Sequence, residues 1–89
     1  MSENNLGVMY RDGRGVEQND AAAVGWFRKA AGKGNAWAEF NLGRMYRLGR
    51  GVIRDDAAAL EWFRKAAAHG HADAREALRE LGDSSGGDP

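Results

Sequence analysis

The side chains that could take part in chemistry are few in this 89-residue sequence, and their spacing does not assemble an active site. His69 and His71 flank Gly70 and lie close to Asp73, and these residue types bind zinc in many proteins. They lack the i, i+4 spacing that brings two ligands to one face of a helix, and no further ligand is apparent. The sequence therefore predicts no metal site.

Nucleophilic catalysis has equally little support. Cysteine and threonine are absent, and the serines lie only near the two ends, so a nucleophile paired with a base is not expected. The carboxylate pair Asp55 and Asp56 stands at the start of a predicted helix, where the helix dipole favours acidic residues. We predict a protein that is not an enzyme and that binds no cofactor.

The phrase GRGV occurs twice and contains two glycines, as phosphate-binding loops do. Neither G-x-G-x-x-G nor P-loop spacing is present, and no strand pattern precedes the phrase. We expect Gly13 and Gly49 to end helices. Gly15 and Gly51 should supply backbone angles that other residues avoid.

Charge and hydropathy narrow the class of partner. Thirteen basic residues balance thirteen acidic ones, so no net field attracts nucleic acid or an anionic membrane. No apolar run approaches the roughly 20 residues of a membrane span, and the opening MSENN lacks a signal-peptide core. We expect no nucleic-acid or membrane partner and a cytoplasmic location by default, with a periplasmic or secreted location as the alternative.

An internal repeat dominates the organisation of the chain. Residues 6–36 align with residues 42–72 at a shift of 36, and 21 of the 31 aligned pairs are identical. A period of this size is typical of helical solenoids, because it holds two helices of about 12 residues and two turns. The predicted helices span residues 3–12, 20–33, 36–48, 56–69 and 72–81. One domain, 1–82, holds units at about 2–37, 38–73 and 74–82, and 83–89 is a disordered polar tail.

Apolar residues within each unit repeat at helical spacing. Ala23, Trp26, Phe27 and Ala30 fall on one helix face, and the same residue types return 36 positions later. Asn19 and Asp55 precede these helices as predicted N-caps. We expect the tryptophans, Trp26 and Trp62, to be the buried interhelix contacts. The mid-helix glycines, Gly7 and Gly43, should let an indole ring or a neighbouring helix come close.

The phrases AEFNLGRMYRLGRGV and DDAAALEWFRKAAAHGHADA resemble the Sel1-like repeat family, which is related to the tetratricopeptide repeat. The resemblance implies an all-α fold, an α/α solenoid of antiparallel helix pairs with about two and a half repeats and five helices. It also implies a protein-interaction role as an adaptor or scaffold, often in bacteria, and no catalysis. The third copy departs from the pattern, since Arg79 stands where Gly7 and Gly43 stand in the other copies.

The first helix of each unit lines the concave groove in solenoids of the tetratricopeptide type. Carried over by position, this makes a stripe at helical spacing the groove wall and the predicted partner-binding site. Its members are Trp37, Phe40, Arg44, Arg47 and Leu48, with Arg11 from the first copy. Tryptophan and arginine are enriched at binding hot spots. Packing within the protein is the competing interpretation for Phe40, and a solvated face is the competing one for the arginines.

A ligand complementary to this stripe would be a protein or peptide with an apolar anchor followed by acidic residues or a free carboxylate. We also expect a weak homodimer at high concentration, because Trp37 and Phe40 lack full cover from the first copy. Two other functions stay open. One is a small inhibitor or immunity-type protein that covers a partner enzyme. The other is an idealised or fragmentary scaffold without a partner of its own.

Overall fold

Five α-helices make up the computed structural model, which describes residues 2–81 of the chain. They are α1 (Glu3–Asp12), α2 (Asp20–Gly32), α3 (Ala36–Leu48), α4 (Asp56–Ala68) and α5 (Ala72–Glu80). No strand occurs in that range, and each helix packs against the one that follows it. The predicted all-α solenoid is confirmed. Three helices, α2, α4 and α5, end one residue before the predicted position, and the predicted tail lies outside the described residues.

Side-chain caps and left-handed glycines set the helix ends. The side chains of Asn19 and Asp55 each accept a hydrogen bond of 3.0 Å from a backbone N–H in the first turn, so both predicted N-caps are confirmed. Such a cap is worth about 1 kcal/mol. Gly13 and Gly49 follow α1 and α3 with φ values of 69° and 67°, which a residue with a side chain adopts only at a cost.

The tightest packing within each helix pair joins a glycine of the first helix to a phenylalanine of the second. Phe27 and Phe63 are fully buried. A Cβ atom added to Gly43 would lie 2.6 Å from Cε1 of Phe63, and one added to Gly7 would meet the Phe27 ring even more closely. Glycine is required at these two positions because the ring occupies the space of a side chain.

The prediction that Trp26 and Trp62 form the buried interhelix contacts is wrong. Both are only partly buried, and lysine ammonium groups lie 4.8 Å and 4.5 Å from their ring centroids. Successive residues of a helix point about 100° apart. The orientation that aims the phenylalanine at the glycine therefore leaves the adjacent indole at the edge of the core.

The loop after α3 ties the second helix pair to the first. The Arg50 guanidinium contacts both carboxylate oxygens of Asp20, at 2.8 Å and 3.3 Å, and also donates to the carbonyl of Arg11 at 3.3 Å. A Cβ on Gly51 would lie 2.5 Å from the carbonyl oxygen of Asp20, so only glycine permits this approach. The loop thereby holds α3 beside α1, and these helices carry the predicted binding residues.

Candidate protein-interaction surface

The predicted stripe lies along α3, between two grooves, and we call the surface lined by α1, α3 and α5 the first-helix face. Trp37 and Leu48 are each 57% exposed, at opposite ends of α3. Arg44 is exposed, whereas Phe40 and Arg47 are partly buried. The core-facing side of the same helix holds Ala38, Leu42 and Met45, all fully buried, so the stripe is a separate side of α3.

The groove between α3 and α5 encloses about 320 Å³ and brings opposite charges face to face. Phe40, Phe63 and Ala77 supply its apolar surface. Basic side chains come from α3 and acidic ones from α5, namely Arg44, Arg47, Asp73, Glu76 and Glu80. Within residues 2–81 none of these five forms an ion pair shorter than 4 Å. Their charges are therefore available to a bound partner.

The smaller groove, between α1 and α3, encloses about 180 Å³, and two of its three basic residues, Arg11 and Arg50, are already engaged, whereas Arg44 lines both grooves. Arg11 donates to Asp12 at 2.9 Å and to the side-chain oxygen of Asn41 at 3.4 Å. The amide of Asn41, in turn, donates to Asn4 at 3.0 Å. The hydrogen bond from Arg11 is the main cause that holds the pKa of Asp12 below its ordinary value. Arg11 belongs to this internal network and is less available to a partner than Arg44.

An aromatic cluster lies where α3 begins. The imidazole of His71 stacks on Phe40, with a centroid separation of 4.7 Å and an interplanar angle of 18°. The indole of Trp37 meets the same imidazole edge to face at 4.3 Å. Phe40 also contacts Phe63, at 5.7 Å between centroids. Phe40 therefore packs within the protein, in agreement with its competing interpretation, while Trp37 keeps more than half of its surface exposed.

Sequence reasoning missed the buried polar residues beside this surface. Glu39 is 3% exposed, and its carboxylate lies 2.7 Å from Nδ1 of His69. The equivalent pair in the first copy is Glu3 with Lys33, at 3.1 Å. An acid and a basic side chain that recur together at a shift of 36 were a readable signal for a contact between these two parts of each copy.

The two histidines that could have bound a metal have separate structural contacts. His69 pairs with Glu39, and Nδ1 of His71 accepts the backbone N–H of Ala74 at 3.2 Å as the N-cap of α5. Among residues 2–81 no group of three or more potential ligands is placed to hold a metal ion. None of the five described helices has the length and apolar character that crossing a membrane requires.

Comparison with known proteins gives one family. The Sel1 repeat family model matches residues 1–35 and 38–71. A solved Sel1 repeat protein from Oxalobacter formigenes is 42% identical, with a TM-score of 0.87 over 89% of this chain and 32% of its own. The protective antigen c5321, from uropathogenic Escherichia coli, is 44% identical, with a TM-score of 0.85 over 92% of this chain and 17% of its own.

Cysteine-rich protein B of Helicobacter pylori is 29% identical, with a TM-score of 0.81 over 85% of this chain and 57% of its own. A comparison with curated protein sequences finds no match. The chain spans less than two thirds of each of these solved relatives. Sel1 repeats generally mediate protein–protein interaction and are generally not catalytic. The match over most of the sequence, together with the five-helix solenoid, shows that the chain belongs to the Sel1 repeat family.

Proposed function

We propose that this protein binds a segment of another protein on its first-helix face, which corresponds to the concave face of the predicted solenoid. An apolar anchor of the partner contacts Trp37, and acidic residues of the partner face Arg44 and Arg47. The observation that carries the proposal is the exposure of Trp37 at 57% on a helix whose other side already fills the core. The repeat does not need an aromatic residue here, because the equivalent residue of the third copy is Asp73.

The distribution of exposed apolar residues supports this assignment. Among the described residues the large exposed hydrophobic side chains are Trp37, Leu48 and Ile53. The first copy has Asp12 and Glu17 in place of the last two. Exposed apolar residues that break a repeat are not explained by its internal packing, and tryptophan is the residue type most enriched at hot spots.

The acidic wall of α5 restricts how a partner can lie. An acidic segment placed centrally in the α3–α5 groove would meet Asp73, Glu76 and Glu80 at close range, and like charges across an interface are costly. The acidic side of the partner therefore faces α3. Any residue that faces α5 is neutral or basic. This orientation refines the acidic partner expected from the sequence.

Parallel capture with three forms of the protein tests the proposal. The parent, Trp37→Asp and Ile53→Glu are used as baits in extract from the native cell, and bound proteins are identified by mass spectrometry. Each substitution takes its residue from another copy of the repeat, and Ile53 lies in the loop before α4 at 91% exposure. A partner retained by Ile53→Glu and lost by Trp37→Asp is expected.

Titration of the identified partner then gives magnitudes. Trp37→Asp should weaken binding by about 2 kcal/mol or more, the usual threshold of a hot spot. Arg47→Ala should have a smaller effect that shrinks at high salt, because exposed charges are screened. Circular dichroism of each variant serves as the control for folding. If all variants bind with equal affinity, the binding surface lies on α2 and α4 or on the loops and not on the first-helix face.

The weak homodimer is proposed on the same surface. Trp37 is an exposed aromatic residue, and two copies could cover it mutually in a symmetric contact. Light scattering of the parent and of Trp37→Asp over a concentration series should show association that the substitution removes. A parent that is monomeric at every concentration would refute the dimer and leave the binding of another protein intact.

A further inference from the structure

His71 carries a buried hydrogen-bond donor that the fold does not use. The residue is 7% exposed, and its Nδ1 accepts the backbone N–H of Ala74 as the cap of α5. A nitrogen that accepts a hydrogen bond carries no proton, so the proton of the neutral ring is on Nε2. That Nε2 has no hydrogen-bond partner among residues 2–81. A buried donor without a partner is a destabilising feature that most native structures avoid.

The repeat shows that capping does not require a histidine. Asn35 is the equivalent residue of the second copy, and its side-chain oxygen accepts the N–H of Ala38 at 3.0 Å as the cap of α3. Asparagine ranks among the best N-cap residues. The imidazole at position 71 adds two features that an asparagine would not, namely the ring contacts with Trp37 and Phe40 and an Nε2–H without a partner among residues 2–81.

The surroundings of the ring connect this donor to the proposed binding surface. Trp37 lies edge to face against the imidazole, and Phe40 stacks on it. A cavity of about 330 Å³ is lined by Trp37, Gly70, His71, Ala72 and Asp73. The indole that contacts the imidazole is more than half exposed and is not a core residue, and both rings line this cavity.

We infer that Nε2–H of His71 donates a hydrogen bond to a main-chain carbonyl of the partner, next to the apolar residue that contacts Trp37. The inference rests on the proposed function and adds the chemical group recognised at the aromatic end of the surface. A neutral acceptor fits better than a carboxylate, because Asp73 lines the same cavity and would repel an anion. A main-chain carbonyl beside an apolar side chain combines both contacts in one residue.

N-acetyl-leucinamide is the probe for this site, since it joins carbonyl groups to a leucine side chain and carries no charge. Nitrogen and proton NMR of the parent should first show the His71 proton on Nε2. Addition of the probe should then shift the resonances of His71 and of the Trp37 indole together. N-acetyl-leucine, which differs by its carboxylate, should bind more weakly.

His71→Asn is the matched variant, because it keeps a helix cap and removes the Nε2 donor together with the ring contacts to Trp37 and Phe40. The Trp37 indole resonance should report binding of N-acetyl-leucinamide that is weaker by about two- to tenfold, the range of one net hydrogen bond. Trp37→Asp should also lose the shift of His71.

Two results would overturn the inference. The first is equal affinity of the probe for His71→Asn and the parent. The second is the absence of any shift at His71 up to the solubility limit of the probe. Because the capture experiment does not involve His71, the proposed function could stand while this inference fails.

Discussion

The two helix pairs α1–α2 and α3–α4 share their tightest buried contact and differ at several exposed positions. Gly7 with Phe27 and Gly43 with Phe63 form the same buried contact in each pair. Where the pairs differ, the first has Asp12 and Glu17 and the second has the exposed Leu48 and Ile53. The shared buried residues build the pair, and the exposed apolar residues that differ are available for recognition.

Identical residues do not always have identical contacts. Arg14 and Arg50 occupy equivalent loops, but only Arg50 reaches the other pair, through Asp20. Arg14 forms no ion pair within the part of the chain that the structure describes. A residue can therefore be repeated because the interface between units needs one of its copies, while the other copy lies at the end of the stack.

The largest expected effect comes from the shared interior. Phe63→Ala removes a fully buried ring and leaves an empty space against Gly43, so it should cost about 3–5 kcal/mol of folding free energy. Trp62→Ala should cost less, because the indole is only partly buried. Chemical denaturation of both variants measures the difference. If Trp62→Ala loses more unfolding free energy than Phe63→Ala, the tryptophan is the main interhelix contact.

A smaller effect of the same contact comes from its glycine. Gly43→Ala places a Cβ 2.6 Å from the Phe63 ring, and the overpacking should cost about 1–3 kcal/mol. Gly25→Ala is the matched control, since it lies inside α2 with no atom within 4 Å of the new Cβ. There the change should stabilise by up to about 1 kcal/mol, as alanine forms helix more readily. Stabilisation by both changes would show that the ring moves aside easily.

The helices were predictable from sequence because their signals are local. Spacing of apolar residues, N-caps and left-handed glycines act within one turn, and the observed ends differ from the predicted ones by no more than one residue. The choice between Trp62 and Phe63 as the buried ring was not predictable. Adjacent apolar residues satisfy the same periodicity, and the rotation of the helix depends on its neighbour.

The candidate surface was predictable only in part. The position of Trp37 on an exposed stripe follows from its spacing against the buried Leu42 and Met45. The contact of Trp37 with His71, and the acids of α5 opposite Arg44, depend on how far α5 stands from α3. That distance is set by packing between repeats. The sequence pattern of one helix shows which of its faces is buried, but not how far it lies from another helix.

The smallest expected effect concerns the equivalent loops that contain Arg14 and Arg50, which have similar sequences but different contacts. Arg50→Ala removes a two-point contact with Asp20 and a bond to the carbonyl of Arg11, in a site whose side chains are 37% and 27% exposed. Partial exposure weakens the ion pair by solvent screening, so we expect a loss of about 1 kcal/mol.

Arg14→Ala provides the control, since it deletes the same side chain from an end loop and should change stability by less than about 0.5 kcal/mol. Urea midpoints of the two variants and of Asp20→Ala, alone and combined with Arg50→Ala, measure the coupling directly. The effect of Arg50→Ala should decrease in high salt, because its charged component is screened, whereas that of Phe63→Ala should not. Equal effects of Arg14→Ala and Arg50→Ala would contradict the role of the Arg50 loop as the link between the helix pairs. The close approach of Gly51 to Asp20 would then have to hold α3 beside α1 by packing alone.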